Sequence, residues 1–230
     1  MFSYFKLKPK AGTKNRYLYF VTKKRKWSNK EKAQYISKKS SILIEGLHAS
    51  GKTREIEKLY KRRNELWGNK HRYIYLKATD SLADWLAKNL NKEIENEFIE
   101  EHKDEEEIVQ NIRRQHVRIA QLVYASEGSI LMIDDIDKLQ GKKKEIIKDL
   151  IKASKVTIAT ASNYKEMDKT IQKILERKGI EILNLTTEVS YDATFVLFAV
   201  FVITLFAIGQ HELAMLVMAG RYAMKGIQNK

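Results

Sequence analysis

The 230-residue chain carries 43 Lys and Arg against 29 Asp and Glu, a formal charge of +14, and contains no Cys. That length accommodates one ordinary domain with appendages or two small ones, with enough chain to bury a substantial core. The lack of Cys excludes a disulfide framework and thiolate metal ligands and fits a reducing compartment, and the five His are too scattered to form a metal site.

At the start of the chain, "YFKLK" and "RYLYFV" read as two short strands around the turn-like "PKAGTKN". In "SNKEKAQYISKK", Ser28 and Glu31 stand in capping-box spacing, which predicts a helix. Residues 1–40 hold 13 Lys and Arg against one acid, Glu31, and form a basic N-terminal appendage of short strands and a helix. The aromatics interleaved there (Tyr4, Phe5, Tyr17, Tyr19, Phe20 and Trp27) suit nucleic acid, through phosphate contact and base stacking. Anionic lipid fits the same mixture, and so does a basic hairpin whose aromatics are its own core. "MFSYFKLKPKAG" lacks the apolar run of a signal peptide.

From residue 41 onward, apolar runs alternate with helical patterns. "SILIEG" is a strand followed by a helix over 52–66, and "RYIYLKA" (72–78) is a second strand followed by helices between 81 and 126. "SILMIDD" (129–135) is a third strand with a helix at 142–153, "KVTIATAS" (155–162) a fourth with a helix at 165–178, and "IEILNLT" (180–186) a fifth. Continuous Ile, Leu and Val runs separated by helices predict an α/β fold with a parallel sheet covered on both faces. Residues 92–107 hold nine acids against two lysines and read as a solvated helix face, with docking against the basic N-terminus as an alternative.

Gly46-x4-Gly51-Lys52-Thr53 sits between a strand and a helix, the setting of a phosphate-binding loop. Glycines let backbone N–H groups wrap a phosphate, and the helix aims its positive end at the anion. The candidate nucleotide-binding residues are Gly46, Leu47, His48, Ala49, Ser50, Gly51, Lys52, Thr53 and Arg54, with His48 at a variable position. Lys52 would reach the β- and γ-phosphates of ATP, and Thr53 would place its hydroxyl on Mg²⁺. At the end of "ILMIDD", Asp134 is the expected second magnesium ligand and Asp135 the residue that activates the attacking water. Asp137 reads as a helix cap or solvated side chain. Asn163, or failing that Thr160, could direct a polar group at the γ-phosphate.

"GLHASGKT", "ILMIDD" and "IATASN" resemble the AAA+ ATPases and the related STAND ATPases, over residues 41–187. The resemblance implies a P-loop three-layer αβα sandwich with strand order 5-1-4-3-2. It also implies Walker A at 46–53, Walker B at Asp134, the catalytic acid at Asp135 and the first sensor at Asn163. Unlike a full AAA+ module, the chain shows no helical lid with a second sensor arginine. Arg113, Arg114 and Arg118 precede the third strand, where a solvated basic face competes with an arginine finger.

Residues 193–210 carry no charge and predict a transmembrane helix about 27 Å long. "LAMLVMAG" (213–220) follows a turn-like "GQHE", so the membrane segment at 193–225 is one span or a helical hairpin, with residues 1–190 cytosolic. Together these features predict a membrane-anchored, Mg²⁺-dependent ATPase acting on a protein or DNA partner, with self-association as an option. The alternatives are a nucleotide-gated switch with little hydrolysis and a phage-assembly or DNA-transfer ATPase similar to the zonula-occludens-toxin-like proteins.

Overall fold

The computed structural model describes residues 2–6, 17–23, 31–105, 108, 110–185, 193–215 and 217. The chain divides into two compact units, Met1–Glu188 and Val189–Lys230.

The first unit holds two sheets. Strands β1 (Phe2–Lys6), β2 (Tyr17–Lys23) and β3 (Glu31–Ser37) form an antiparallel sheet in that order. Strands β4 (Ile42–Glu45), β5 (Tyr73–Lys77), β6 (Ile130–Asp134), β7 (Val156–Ala161) and β8 (Glu181–Asn184) form a parallel sheet in the order β5-β6-β7-β4-β8. Numbered within this sheet alone, that is the expected 5-1-4-3-2 arrangement. The helices are α1 (Lys52–Lys61), α2 (Arg63–Trp67), α3 (Leu82–Asn89), α4 (Lys92–Glu101), α5 (Gln115–Ser126), α6 (Lys142–Ala153) and α7 (Lys169–Arg177).

The unbroken apolar runs of the strands follow from what covers each face. Leu43, Leu131, Ile133 and Ala159 join Trp85 and Leu86 of α3, Leu122 of α5, Ile147 and Leu150 of α6, and Leu175 of α7. Their neighbours in sequence, Ile42, Ile44, Ile130, Met132 and Ile158, join Ile56 and Leu59 of α1. Side chains alternate across a strand, so both parities must be apolar when both faces are dry.

The second of these clusters also contains Phe5, Leu18, Phe20 and Ile36, which makes the N-terminal sheet part of the cover on the α1 side. This accounts for a departure from the sequence reading. Glu31–Ser37 is a strand rather than a helix, in register with β2 through Leu18↔Ile36 and Phe20↔Gln34. Ile36 is fully buried against Leu18 while its neighbour Tyr35 is 53% exposed, on the opposite face of the sheet. Burial of Ile36 beside Leu18 thus outweighs the local capping signal, and Ser28 itself lies outside the described residues, as do "PKAGTKN" and Trp27. Acids on α4 pair with Arg72 (through Glu97) and Lys103 (through Glu100) among the described residues.

α1 grips β1 at one residue. The buried Glu55 carboxylate accepts the Phe5 N–H at 2.9 Å, and the Lys58 ammonium, one helical turn on, donates to the Phe5 carbonyl and lies 3.3 Å from the same carboxylate. Both peptide groups of a buried strand residue are therefore satisfied by side chains of a helix.

The second unit contains helix α8 (Ala193–Ala207), fifteen residues and about 22 Å long, short of a hydrocarbon core of about 30 Å. Among the described residues no helix is long and apolar enough to cross a membrane, which corrects the expected span over 193–210. The stop has a physical cause. Gly209 takes φ +82°, its N–H donates to Phe206, and Gln210 N–H donates to Leu205, which closes α8 in a Schellman motif. The turn falls at 208–210 and helical backbone resumes at 211–215, so only the Gly209-Gln210 half of "GQHE" lies outside a helix.

Replacement of Glu55 by Ala leaves the buried Phe5 N–H without an acceptor and is expected to cost about 1–3 kcal/mol. Urea unfolding measures it; a midpoint unchanged from wild type contradicts the clasp.

Candidate functional site

The loop from β4 to α1 is built by backbone constraints. A Cβ on Gly46 would lie 2.5 Å from Ser50 Oγ and 3.0 Å from the Leu185 carbonyl, so only glycine fits between loop and β8 side. Gly46 N–H donates to the Ala161 carbonyl, which fixes the loop's first residue to β7. Ala49 and Gly51 take φ of 61° and 91°, and this pair of left-handed residues curls the chain back onto α1. α1 starts at Lys52 with Gly51 as its N-cap and no side-chain cap bond, leaving its first N–H groups to face an anion. Ser50 Oγ is buried in the loop without a partner.

Lys52 is 6% exposed and folds back over the loop, its Nζ donating to the carbonyls of Gly46 (2.5 Å) and Leu47 (3.0 Å). Burial pulls its ammonium below the ordinary lysine value, against the opposing pull of Asp135, Asp137 and Asp134. Leu47, His48, Ala49, Thr53 and Arg54 are exposed along the rim. A cavity of about 440 Å³ is lined by residues 48–54 with Glu57, Asp135 and Lys138.

Three elements converge on Asp134, which ends β6 and is 4% exposed. Its Oδ1 accepts from Thr160 Oγ1 on β7 at 2.7 Å and from Thr53 Oγ1 on α1 at 3.3 Å. Thr160 Oγ1 in turn accepts the Asp135 N–H at 2.7 Å. Asp135 holds φ 58° and ψ 49°, a left-handed backbone uncommon outside glycine. Its carboxylate is held by Lys138 Nζ at 2.5 Å.

Asp137 is neither a helix cap nor a solvated side chain. Its Oδ2 accepts the Ser162 N–H at 2.9 Å, joining the short 3₁₀ turn after β6 to the end of β7, and its Oδ1 is buried without a partner. Asn163 caps the turn at Tyr164–Glu166, accepting from Lys165 N–H while its amide donates to Glu166. Of the two polar candidates, Thr160 on β7 and Asn163 just beyond it, Thr160 is thus the one that touches Asp134. Arg113 and Arg118 line a separate depression with Lys92 and Glu95, and Arg114 is the N-cap residue of α5. Lys138 and Glu57 are cavity residues the sequence reading missed; each had a helical-spacing signal, three residues after Asp135 and four after Thr53.

No protein-family model matches the sequence, and no curated protein matches it. Among solved structures, ATPases 2 and 3 of Thermomonospora curvata EccC, in complex with a signal sequence peptide, share 14% identity at a TM-score of 0.39. The match covers 70% of this chain and 34% of that one. The cytoplasmic domain of the same type VII secretion ATPase gives 14% identity and a TM-score of 0.42, over 80% of this chain and 25% of that one. Drosophila ORC bound to DNA gives 13% and 0.34, over 67% and 85%. The chain thus spans about a third and a quarter of the two EccC chains it matches.

Gly46→Ala forces the new methyl into Ser50 Oγ and a backbone carbonyl. It is expected to cost about 1–3 kcal/mol and to disorder the loop. Thermal unfolding, together with amide exchange at residues 47–52, reads both effects; native-like values at both overturn the close approach.

Proposed function

We propose that this chain binds Mg²⁺ and ATP at the β4–α1 loop and hydrolyses the nucleotide. The observation that carries the reading is the meeting, at one cavity, of a glycine-shaped loop, an uncapped helix start and the Thr53–Asp134 contact. The residues suit the ligands. The N–H groups at the uncapped start of α1 would meet phosphate oxygens, and Lys52 can exchange two carbonyl acceptors for them. The hydroxyl of Thr53 and the carboxylate of Asp134 are adjacent oxygen donors of the kind Mg²⁺ takes. Among the described residues no three His, Asp or Glu cluster as an all-protein metal site, which suits a cation completed by phosphate and water. Bound magnesium would neutralise charge on the β- and γ-phosphates. Thr160 orients Asp134, and Asp135 stands where a water on the γ-phosphate would be deprotonated.

One observation favours a second reading, a nucleotide-gated switch with little turnover: the Asp135 carboxylate is occupied by Lys138. Release of that ion pair separates the two.

Lys52→Ala is expected to weaken ATP binding about 10- to 100-fold in calorimetry, the worth of charge-assisted hydrogen bonds to phosphate. Asp134→Asn is expected to lose the Mg²⁺ dependence of binding. Asp135→Ala is expected to retain binding but lower phosphate release about 10²- to 10⁴-fold, the range of a general base. Lys138→Ala frees the acid and should raise basal release. If neither of the last two variants changes the rate, the switch reading replaces hydrolysis.

Attachment to a bilayer is proposed as an interfacial rather than a spanning contact, because Phe201, Ile203, Ile208 and Leu213 are exposed in the second unit. Flotation of the full chain with anionic vesicles tests it. A chain that stays at the bottom and sediments as an oligomer assigns those side chains to self-association instead.

A further inference from the structure

A second concavity, of about 550 Å³, lies away from the nucleotide loop. Ile130 and Val156, the first residues of β6 and β7, form part of its floor. It therefore opens at the amino ends of the parallel strands, whereas the loop and Asp134 stand at their carboxyl ends. Lys38, Lys39, Lys155 and His71 line it, and among the described residues no acid does. Two rings line it as well: Trp67, whose indole N–H is fixed on the Lys38 carbonyl at 2.9 Å, and Tyr17, 47% exposed.

The groove is continuous with an aromatic surface. Antiparallel partners share a face of a sheet, so the Tyr17↔Ser37 and Tyr19↔Tyr35 pairs put three tyrosines on the side of the N-terminal sheet opposite Phe5, Phe20 and Ile36. Tyr19 and Tyr35 pack edge to face at 5.0 Å, Tyr19 buried and Tyr35 53% exposed, so Tyr17 and Tyr35 are the rings this face presents. Tyr17 and Ser37 belong both to this face and to the groove wall.

We propose that this groove and the exposed rings of Tyr17 and Tyr35 beside it bind single-stranded nucleic acid, with ammonium groups on the phosphates and rings against the bases. Cations without intervening acids attract a polyanion, and aromatic rings beside them accept any base by stacking. The concave shape argues against a membrane, because a bilayer surface cannot enter a cleft whose floor is formed by the amino ends of two interior strands. Most of the lining lies outside the basic first 40 residues, so charge in that segment alone does not define the site.

The test is fluorescence anisotropy of a labelled oligothymidylate with the full chain, without ATP, across a salt series. Lys39→Glu/Lys155→Glu reverses two exposed groove cations. It is expected to weaken binding about tenfold or more and to flatten the salt slope by about 1–2, as loss of two phosphate contacts requires. Lys169→Glu/Lys173→Glu on α7 makes the same charge change away from the groove and should bind near wild type. Lys52→Ala should also bind near wild type, so failure of the nucleotide reading and failure of this one are distinguishable. If the groove reversal does not fold, Lys39→Gln/Lys155→Gln gives the same comparison in weaker form. Three results overturn the proposal: no binding by wild type, equal weakening by both reversals, or duplex or anionic vesicles bound as tightly as the single strand.

Discussion

The Asp134 carboxylate is the junction on which the site depends. It is the last residue of a fully buried strand, and a carboxylate in such a place is costly unless its oxygens are engaged. Two hydroxyls engage it, from the adjacent strand and from the start of α1, so one side chain ties β6, β7 and α1 together. The position of α1 relative to the sheet, and with it the shape of the loop before Lys52, is set in part by that contact. Divalent cation at the same oxygens would compete with hydroxyl donors already in place. The Oδ1 atom is therefore engaged twice over and still open to exchange.

The neighbouring residue is held differently. Asp135 sits in a left-handed backbone conformation with its N–H on Thr160 and its carboxylate on Lys138. A non-glycine residue accepts such a backbone only where its surroundings over-determine it. Here the fixed N–H and the ion pair do so from two sides. The acid is positioned firmly but not toward open solvent, its side chain being 18% exposed.

The central strands β4, β6 and β7 were legible because burial on both faces makes them largely apolar, while the edge strands β5 and β8, half-buried, were legible as short apolar runs between helical patterns. The loop was legible because its glycines answer a steric demand, visible at Gly46 as a contact no methyl could share. Misreading entered where a local signal competed with a distant partner. Ser28 and Glu31 look like a capped helix only until β2 is brought alongside to bury Ile36. The choice between Thr160 and Asn163 had the same character, since only the fold shows that one faces Asp134 and the other its own turn. At the C-terminus, hydrophobic composition predicted a longer helix than the backbone supports, although Gly209 stood in the sequence as a stop signal. Neither the Asp135–Lys138 pair nor the shared face of Tyr17, Tyr19 and Tyr35 is a matter of composition; both are consequences of register and turn geometry.

The clasp of Glu55 and Lys58 on Phe5 gives α1 two loyalties. Its start, at Lys52 and Thr53, belongs to the phosphate loop, and Glu55 and Lys58 further along hold the backbone of β1. A strand gripped at both N–H and C=O travels with whatever grips it. Any tilt of this helix about its axis, however it is provoked, is delivered to the antiparallel sheet as a mechanical displacement, so the two layers move as lever and load.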